Sequence, residues 1–302
     1  MTKKIGIVHA RGIMGAVIGI IPAKLTGAKF IFDMKSSLAE AYRLNGRIKR
    51  GSFTYKAITF LERKVVLNSD EVIVETKAHK EELEKLFASG MRVPSISILP
   101  CCVDVERFIE KKDHAYIPED GKTRIVYLGS LSGWYMLSEM LDLFKTLKKM
   151  RPDSEFFFLS DDKEGLIAGM AREKGVEGVI IKKVRYEDVP NNLWGMTAGI
   201  LFKLPNERLD SFPIKIAEYL AAGLPIIINS GMGDVEDMVV KNRVGVLVDS
   251  CNEESYVKAV TDLDILLKEG IELQKRCEGL AARELSSSHG LSVYRRIYQS
   301  LA

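Results

Sequence analysis

Short apolar runs alternate with longer stretches of helical periodicity along most of this chain. Lys4–Ala10 (KIGIVHA) is apolar enough for a buried strand, and Lys29–Met34, Glu71–Glu75 and Ser95–Pro100 repeat the pattern. Between them, Phe53–Leu67 and Lys77–Ala88 carry helical spacing. A charged, aperiodic stretch follows at Phe108–Thr123, with Pro118 and Gly121, and reads as an interdomain linker. The alternation then resumes, with strands expected at Arg124–Gly129, Glu155–Ser160, Gly178–Val184, Ala198–Lys203, Pro225–Ser230 and Val244–Asp249. Strands rich in Ile, Val and Phe with helices between them predict parallel sheets covered on both faces. The expected fold class is therefore α/β, with two Rossmann-like doubly wound domains. In tandem, these predict a ligand cleft at the carboxyl ends of the strands.

Composition changes this picture little. The 302 residues suit two domains, and 46% hydrophobic with 28% charged residues is a globular balance. A net charge of +3 is too small to imply nucleic acid. Cys101, Cys102, Cys251 and Cys277 have no metal-ligand spacing and read as reduced thiols of a cytoplasmic protein. The most apolar early stretch, Ile13–Ile21, is too short to span a bilayer and runs into Pro22. His79, His114 and His289 have no partner pattern and read as surface or capping residues.

Two stretches carry candidate chemistry. In Tyr127–Met136 (YLGSLSGWYM), a strand runs into a turn bearing Gly129 and Gly133, where backbone can approach an anion at a helix start. In Asp210–Asp234 (DSFPIKIAEYLAAGLPIIINSGMGD), Ser211 is the expected N-cap, with Pro213 in the first turn. Lys215 and Glu218 share nearly one helix face, and two readings stay open for them. One is an exposed ion pair worth a few tenths of a kcal/mol. The other is a binding pair, with the carboxylate accepting ribose hydroxyls.

The second stretch resembles the nucleotide-sugar segment of the retaining GT-B glycosyltransferases of family 4, whose pattern is Ser-x-Pro-x-Lys-x-x-Glu-Tyr-Leu-Ala-x-Gly-x-Pro. Ser211, Pro213, Lys215, Glu218–Ala221, Gly223 and Pro225 meet it. Tyr127–Met136 is similar to the family's first donor-domain loop, and Ile98–Phe108 to its interdomain stretch. His9–Gly12 and Lys29–Lys35 are similar to acceptor-domain strand ends. The resemblance implies sugar transfer from a nucleotide-diphosphate sugar to a hydroxyl acceptor, carbohydrate or lipid-linked, with retention and in polysaccharide or glycolipid synthesis. It implies no cofactor beyond the donor and no metal. Gly129, Ser130, Lys203, Asp210, Ser211, Phe212, Lys215 and Glu218 fall on the donor side. Asp33 and His9 would be catalytic, and Arg11 and Lys35 acceptor-side.

Three departures qualify it. Asp210 stands where the family's paired-glutamate motif has its first, longer acid. The loop Ser130–Trp134 lacks the Arg and Lys that many members use on the diphosphate, leaving Lys203, Arg208 or Lys215 to substitute. The first strand resembles a middle strand of the acceptor domain, so the N-terminal domain reads as incomplete. The expected division is 1–112 for that domain, 113–123 for the linker, 124–287 for the donor domain and 288–302 for a helix returning to the first domain. An alternative is a non-catalytic donor-binding subunit whose acceptor domain is completed by a second polypeptide. Finally, residues 42–64 hold seven basic side chains against Glu62 alone, interleaved with Phe53, Tyr55 and Phe60. That stretch reads as a solvated helix face with core aromatics or as peripheral contact with an anionic membrane on its inner face, with nucleic acid as the competing partner.

Overall fold

The computed structural model describes residues 5–87, 94–109, 121–131, 133–161, 165–205, 207 and 209–302. The expected linker at 113–123 lies outside the described residues up to 120, as do His114, Ser132 and Arg208. The chain divides into two compact units. One comprises Met1–Cys101, Arg208–Phe212 and Ser288–Ala302; the other comprises Cys102–Glu207 and Pro213–Ser287.

The first unit alternates strand and helix: β1 (Ile7–Arg11), α1 (Gly12–Thr26), β2 (Lys29–Lys35), α2 (Leu38–Leu44), α3 (Phe53–Leu67), β3 (Glu71–Val74), α4 (Lys77–Phe87) and β4 (Ser95–Ile98). Its four parallel strands pair in chain order, β1-β2-β3-β4. Sequential order with right-handed crossovers puts α1, α3 and α4 on one face of the sheet. The core bears this out: Ala10, Phe30, Phe32, Met34, Val72, Val74 and Ile96 alternate along the strands and pack with Ile13, Ala16, Ala23, Val65, Val66 and Leu83 of the helices. Ser37 and Ser52 cap α2 and α3, accepting the Glu40 and Tyr55 amides. The register slips after Asp33, and Lys35 takes a left-handed φ of 57°. A lysine there carries strain of about 1–3 kcal/mol, the kind stored where side chains are aimed at a task.

The second unit runs α5 (Glu106–Ile109), β5 (Arg124–Leu128), α6 (Leu137–Met150), β6 (Glu155–Leu159), α7 (Leu166–Glu173), β7 (Val179–Ile181), α8 (Val189–Leu193), β8 (Ala198–Leu201), α9 (Ile214–Ala221), β9 (Ile226–Asn229), α10 (Asp234–Asn242), β10 (Gly245–Val248), α11 (Glu253–Leu267) and α12 (Ile271–Glu284). Its sheet is parallel, ordered β10-β9-β8-β5-β6-β7. The chain winds outward from β5 in one direction, then returns to β8 and winds outward in the other. The sheet therefore has one topological switch point, at the carboxyl ends of β5 and β8. A last helix, α13 (Ser287–Leu301), ends the chain, and its residues from Ser288 on belong to the first unit.

At the switch point one packing contact stands out. Tyr219 of α9 lies across β8 where Gly199 has no side chain; a Cβ there would sit 2.5 Å from two ring carbons. The tyrosine hydroxyl accepts the Leu128 amide of β5 at 2.7 Å. We expect Gly199→Ala to lose about 2 kcal/mol or more in urea unfolding, because a fully buried ring has nowhere to go. Gly169→Ala, in α7 with open space around its Cβ position, should be neutral or stabilising. Equal midpoints for the two variants would refute this packing.

Candidate donor-binding site

The Asp210–Asp234 stretch folds differently from its sequence expectation at the start. Ser211 does not cap α9. Pro213 is the N-cap residue, with extended backbone (φ −66°, ψ 123°), and no side chain caps the helix. The reason lies upstream: the Phe212 amide donates to Glu75 Oε2 at 2.9 Å and the Leu209 carbonyl accepts from Thr76 Oγ1 at 2.6 Å. A residue before proline is held extended in any case. The helix ends as the Gly-Leu-Pro break predicts, with Gly223 left-handed and the Leu224 amide reaching back to the Tyr219 carbonyl.

Every side chain from Lys215 to Ala221 is buried, so the exposed-pair reading of Lys215 and Glu218 fails. They are 6% and 5% exposed. Buried charges of this kind are rare unless something holds them. Lys215 Nζ donates to the Tyr127 hydroxyl at 2.8 Å and sits about 4 Å from the ring centres of Tyr127 and Tyr135 (4.0 and 4.1 Å). The Tyr127 hydroxyl donates onward to the Ser130 carbonyl at 2.9 Å. Gly129, at φ +90°, lets the turn pass beside Lys215; a Cβ there would lie 3.8 Å from Nζ. Gly129, Ser130 and Lys215 are thus brought together at the end of β5. Burial pulls the Lys215 ammonium down to about 7, against the pull of Glu218. Burial pushes the Glu218 carboxyl up, while Lys215 and Arg107 draw it down.

Neighbouring turns close the same edge of the sheet. Tyr135 and Lys203 form an antiparallel bridge between the loops after β5 and β8. The Asn229 side chain accepts the Lys203 amide and donates to its carbonyl, both at 2.8 Å. Lys203 itself is fully buried. The amides of Gly231 and Met232, after β9, are taken by Glu236 Oε2 at 2.8 and 3.3 Å. A shallow hollow of about 410 Å³ beside β10 holds none of these residues, and its Lys258–Asp262 and Arg243–Glu269 charges are paired.

The remaining candidates lie in the first unit. Arg11 Nε is 3.7 Å from Asp33 Oδ2, which also accepts from the Tyr294 hydroxyl at 3.2 Å. His9 Nδ1 is 2.8 Å from the Tyr298 hydroxyl, and its ring lies 5.5 Å from that of Tyr294. Burial holds His9 below its ordinary value, opposed by Asp33, and pushes Tyr294 up to about 12 with Asp33 adding to it. Lys35 pairs with Glu75 at 3.4 Å. Asp210 is engaged within this unit: its Oδ2 accepts the Ser37 amide at 2.6 Å at the start of α2. His79 is buried, so of the surface and capping roles expected of it the surface one does not hold, and all four cysteines are free. Sequence reasoning missed Tyr127, Tyr135, Asn229, Tyr294 and Tyr298. The tyrosine in the buried run Arg124–Leu128 was a readable signal, since a buried hydroxyl needs a partner.

The family model for glycosyl transferases group 1 matches residues 108–281, more than half of the chain. The chain belongs to that family. Solved structures give the fold of this group 1 chain. Sucrose-phosphate synthase from Thermosynechococcus elongatus aligns over 97% of this chain and 74% of its own, with a TM-score of 0.73 at 13% identity. HepE of Anabaena in complex with UDP aligns over 98% and 78%, at TM-score 0.74 and 13% identity. An α,α-trehalose-phosphate synthase from Burkholderia xenovorans, in complex with glucose-6-phosphate, aligns over 98% and 74%, at 0.73 and 10%. No curated protein sequence matches the chain. The architecture is that of GT-B glycosyltransferases, with Rossmann-like parallel sheets.

The Lys215 environment sets a pH dependence. Below 10.5 the unfolded chain takes up the lysine proton, whereas the folded chain does so only near 7. Stability should therefore fall as pH is lowered through this window, by up to about 1.4 kcal/mol per pH unit. Below about 7 the contribution is flat. In Lys215→Met this share of the slope should disappear, so the two pH profiles should diverge. Parallel urea-midpoint profiles for the two proteins would mean that the folded chain carries a charged Lys215.

Proposed function

We propose that this group 1 glycosyltransferase moves a sugar from a nucleotide-diphosphate sugar to a hydroxyl acceptor, with retention, in polysaccharide or glycolipid synthesis. The observation that carries the reading is the burial of Lys215 beside the Gly129 turn, at the sheet's switch point, with Glu218 buried three residues further along the same helix. A carboxylate there can accept both ribose hydroxyls. The uncapped start of α9, with no acid in its first turn, suits the diphosphate. Lys215, near neutral without ligand, gains a proton when the diphosphate arrives, and as a cation it steadies the leaving group's charge. In this reading the helix start and Lys215 carry that charge without a metal, and no cofactor is needed beyond the donor. HepE of Anabaena has been solved with UDP and with UDP-glucose, which supports a nucleotide-sugar donor on this fold.

Asp33 and His9 form the catalytic pair in this reading, with Arg11 and Lys35 on the acceptor side. Asp33 is fixed by Arg11 and Tyr294, and a largely neutral His9 can exchange a proton with an acceptor hydroxyl. A second reading, donor binding without turnover, is favoured by Asp210. Its carboxylate already holds the Ser37 amide rather than standing open for a hexose.

Calorimetric titration with UDP, GDP and ADP tests the donor site. At least one should bind, with proton uptake above pH 7 that is lost in Lys215→Met. Glu218→Ala should weaken it by about tenfold or more, the cost of a lost charge-assisted hydrogen-bond set. If none binds, or if Glu218→Ala matches the wild type, the donor reading is wrong. Binding of a nucleotide sugar without hydrolysis or transfer would select the second reading.

A further inference from the structure

Helix α1 is apolar all round, a pattern normal for a helix enclosed by protein. Yet only Ile13, Ala16 and Ala23 are buried. Met14, Ile18, Ile21 and Leu25, at helical spacing, form an outward stripe; each is more than half exposed, and Leu25 is 83% exposed. Next to α1 in the same layer, α3 exposes Phe53 (88%), Phe60 and Leu61. Around these lie Arg47, Lys49, Arg50, Lys56, Arg63 and Lys64, all exposed. Between Tyr42 and Lys64 the one acid, Glu62, is buried and turned inward, accepting the Leu38 amide at 2.7 Å and the Ser37 hydroxyl at 3.1 Å. From Ile5 to Leu38 the one acid is Asp33, also buried.

We propose that the outer surface of the α1–α3 layer docks on an anionic phospholipid bilayer. The apolar stripe enters the boundary between headgroups and acyl chains, and the cations sit at phosphate level. The chain would lie on the membrane rather than cross it: α1 has 15 residues, and no described helix is long and apolar enough to span. The charge pattern argues against a second copy as occupant. A self-complementary contact through this surface would set cation against cation with no exposed acid to answer it.

Flotation of the purified chain with vesicles tests this, using equal parts phosphatidylglycerol and phosphatidylcholine against phosphatidylcholine alone. Binding should require the anionic lipid and fall as salt rises. Ile18→Ser with Leu25→Ser, and separately Phe53→Ser with Phe60→Ser, should weaken it at least tenfold. Lys56→Gln and Lys64→Gln should each cost about fivefold. All these side chains are exposed, so thermal unfolding should not move. The proposal is overturned if anionic vesicles do not bind at low salt, or if the stripe variants bind like wild type. A dimer in sedimentation that the stripe variants abolish would also overturn it, by giving the surface to a second copy. No nucleotide is present in these measurements, so their outcome is independent of the donor reading.

Discussion

The geometry at the carboxyl ends of β5 and β8 depends on the phenol of Tyr219. Its ring fills the space that Gly199 leaves on β8, and its hydroxyl holds the Leu128 amide at the end of β5. Those two strands flank the switch point, so one side chain ties helix α9 to both. Lys215 is one helical turn before Tyr219 and shares its face. Once the tyrosine is seated, the lysine has one place to go: the space between Tyr127 and Tyr135, beside the Gly129 turn. The turn then takes its shape from the Tyr127 hydroxyl on the Ser130 carbonyl.

Burying a lysine and a glutamate one turn apart opposes stability unless the site has another use for them. Their shifts run in opposite directions for the same cause, exclusion of water, and each limits the other's shift. A helix built for stability alone would carry apolar residues at both positions. The Asp33 cluster of the first unit follows a different rule. There a nearly enclosed carboxylate is met by a guanidinium and a phenol, and His9 is left largely neutral beside it.

Much of the fold could be read from the alternation of apolar runs, because strands buried on both faces have to be continuous stretches of Ile, Val and Phe. Each of the ten runs overlaps a strand, and eight contain it whole. Strand order could not be read, since periodicity does not say which strand the chain returns to after β7. The burial of Lys215 and Glu218 and the approach of Lys215 to the Gly129 turn could be anticipated from the family pattern, because these residues lie close in sequence to strand ends. Ser211 misled because an N-cap signal is local, whereas the bond that decides it comes from Glu75, far away in the chain. Tyr294 and Tyr298 were illegible for a similar reason: nothing in an amphipathic terminal helix announces that its hydroxyls will meet His9 and Asp33.

Glu236 has a consequence for how this sheet edge treats a polyanion. A glycine-bearing turn leading into a helix recurs after β9, where the amides of Gly231 and Met232 would make an anion cradle as good as any. Glu236 already occupies them, and Asp234 and Asp237 join it in the first turn of α10. That cradle carries its own permanent counter-ion, and its mouth repels phosphate. Helix α9 has no acidic residue in its first turn, and the nearest carboxylate on the backbone before it is Glu75, at the Phe212 amide. Under the proposed donor reading, a diphosphate entering this edge would find one of two similar docking points already filled by the protein's own carboxylate.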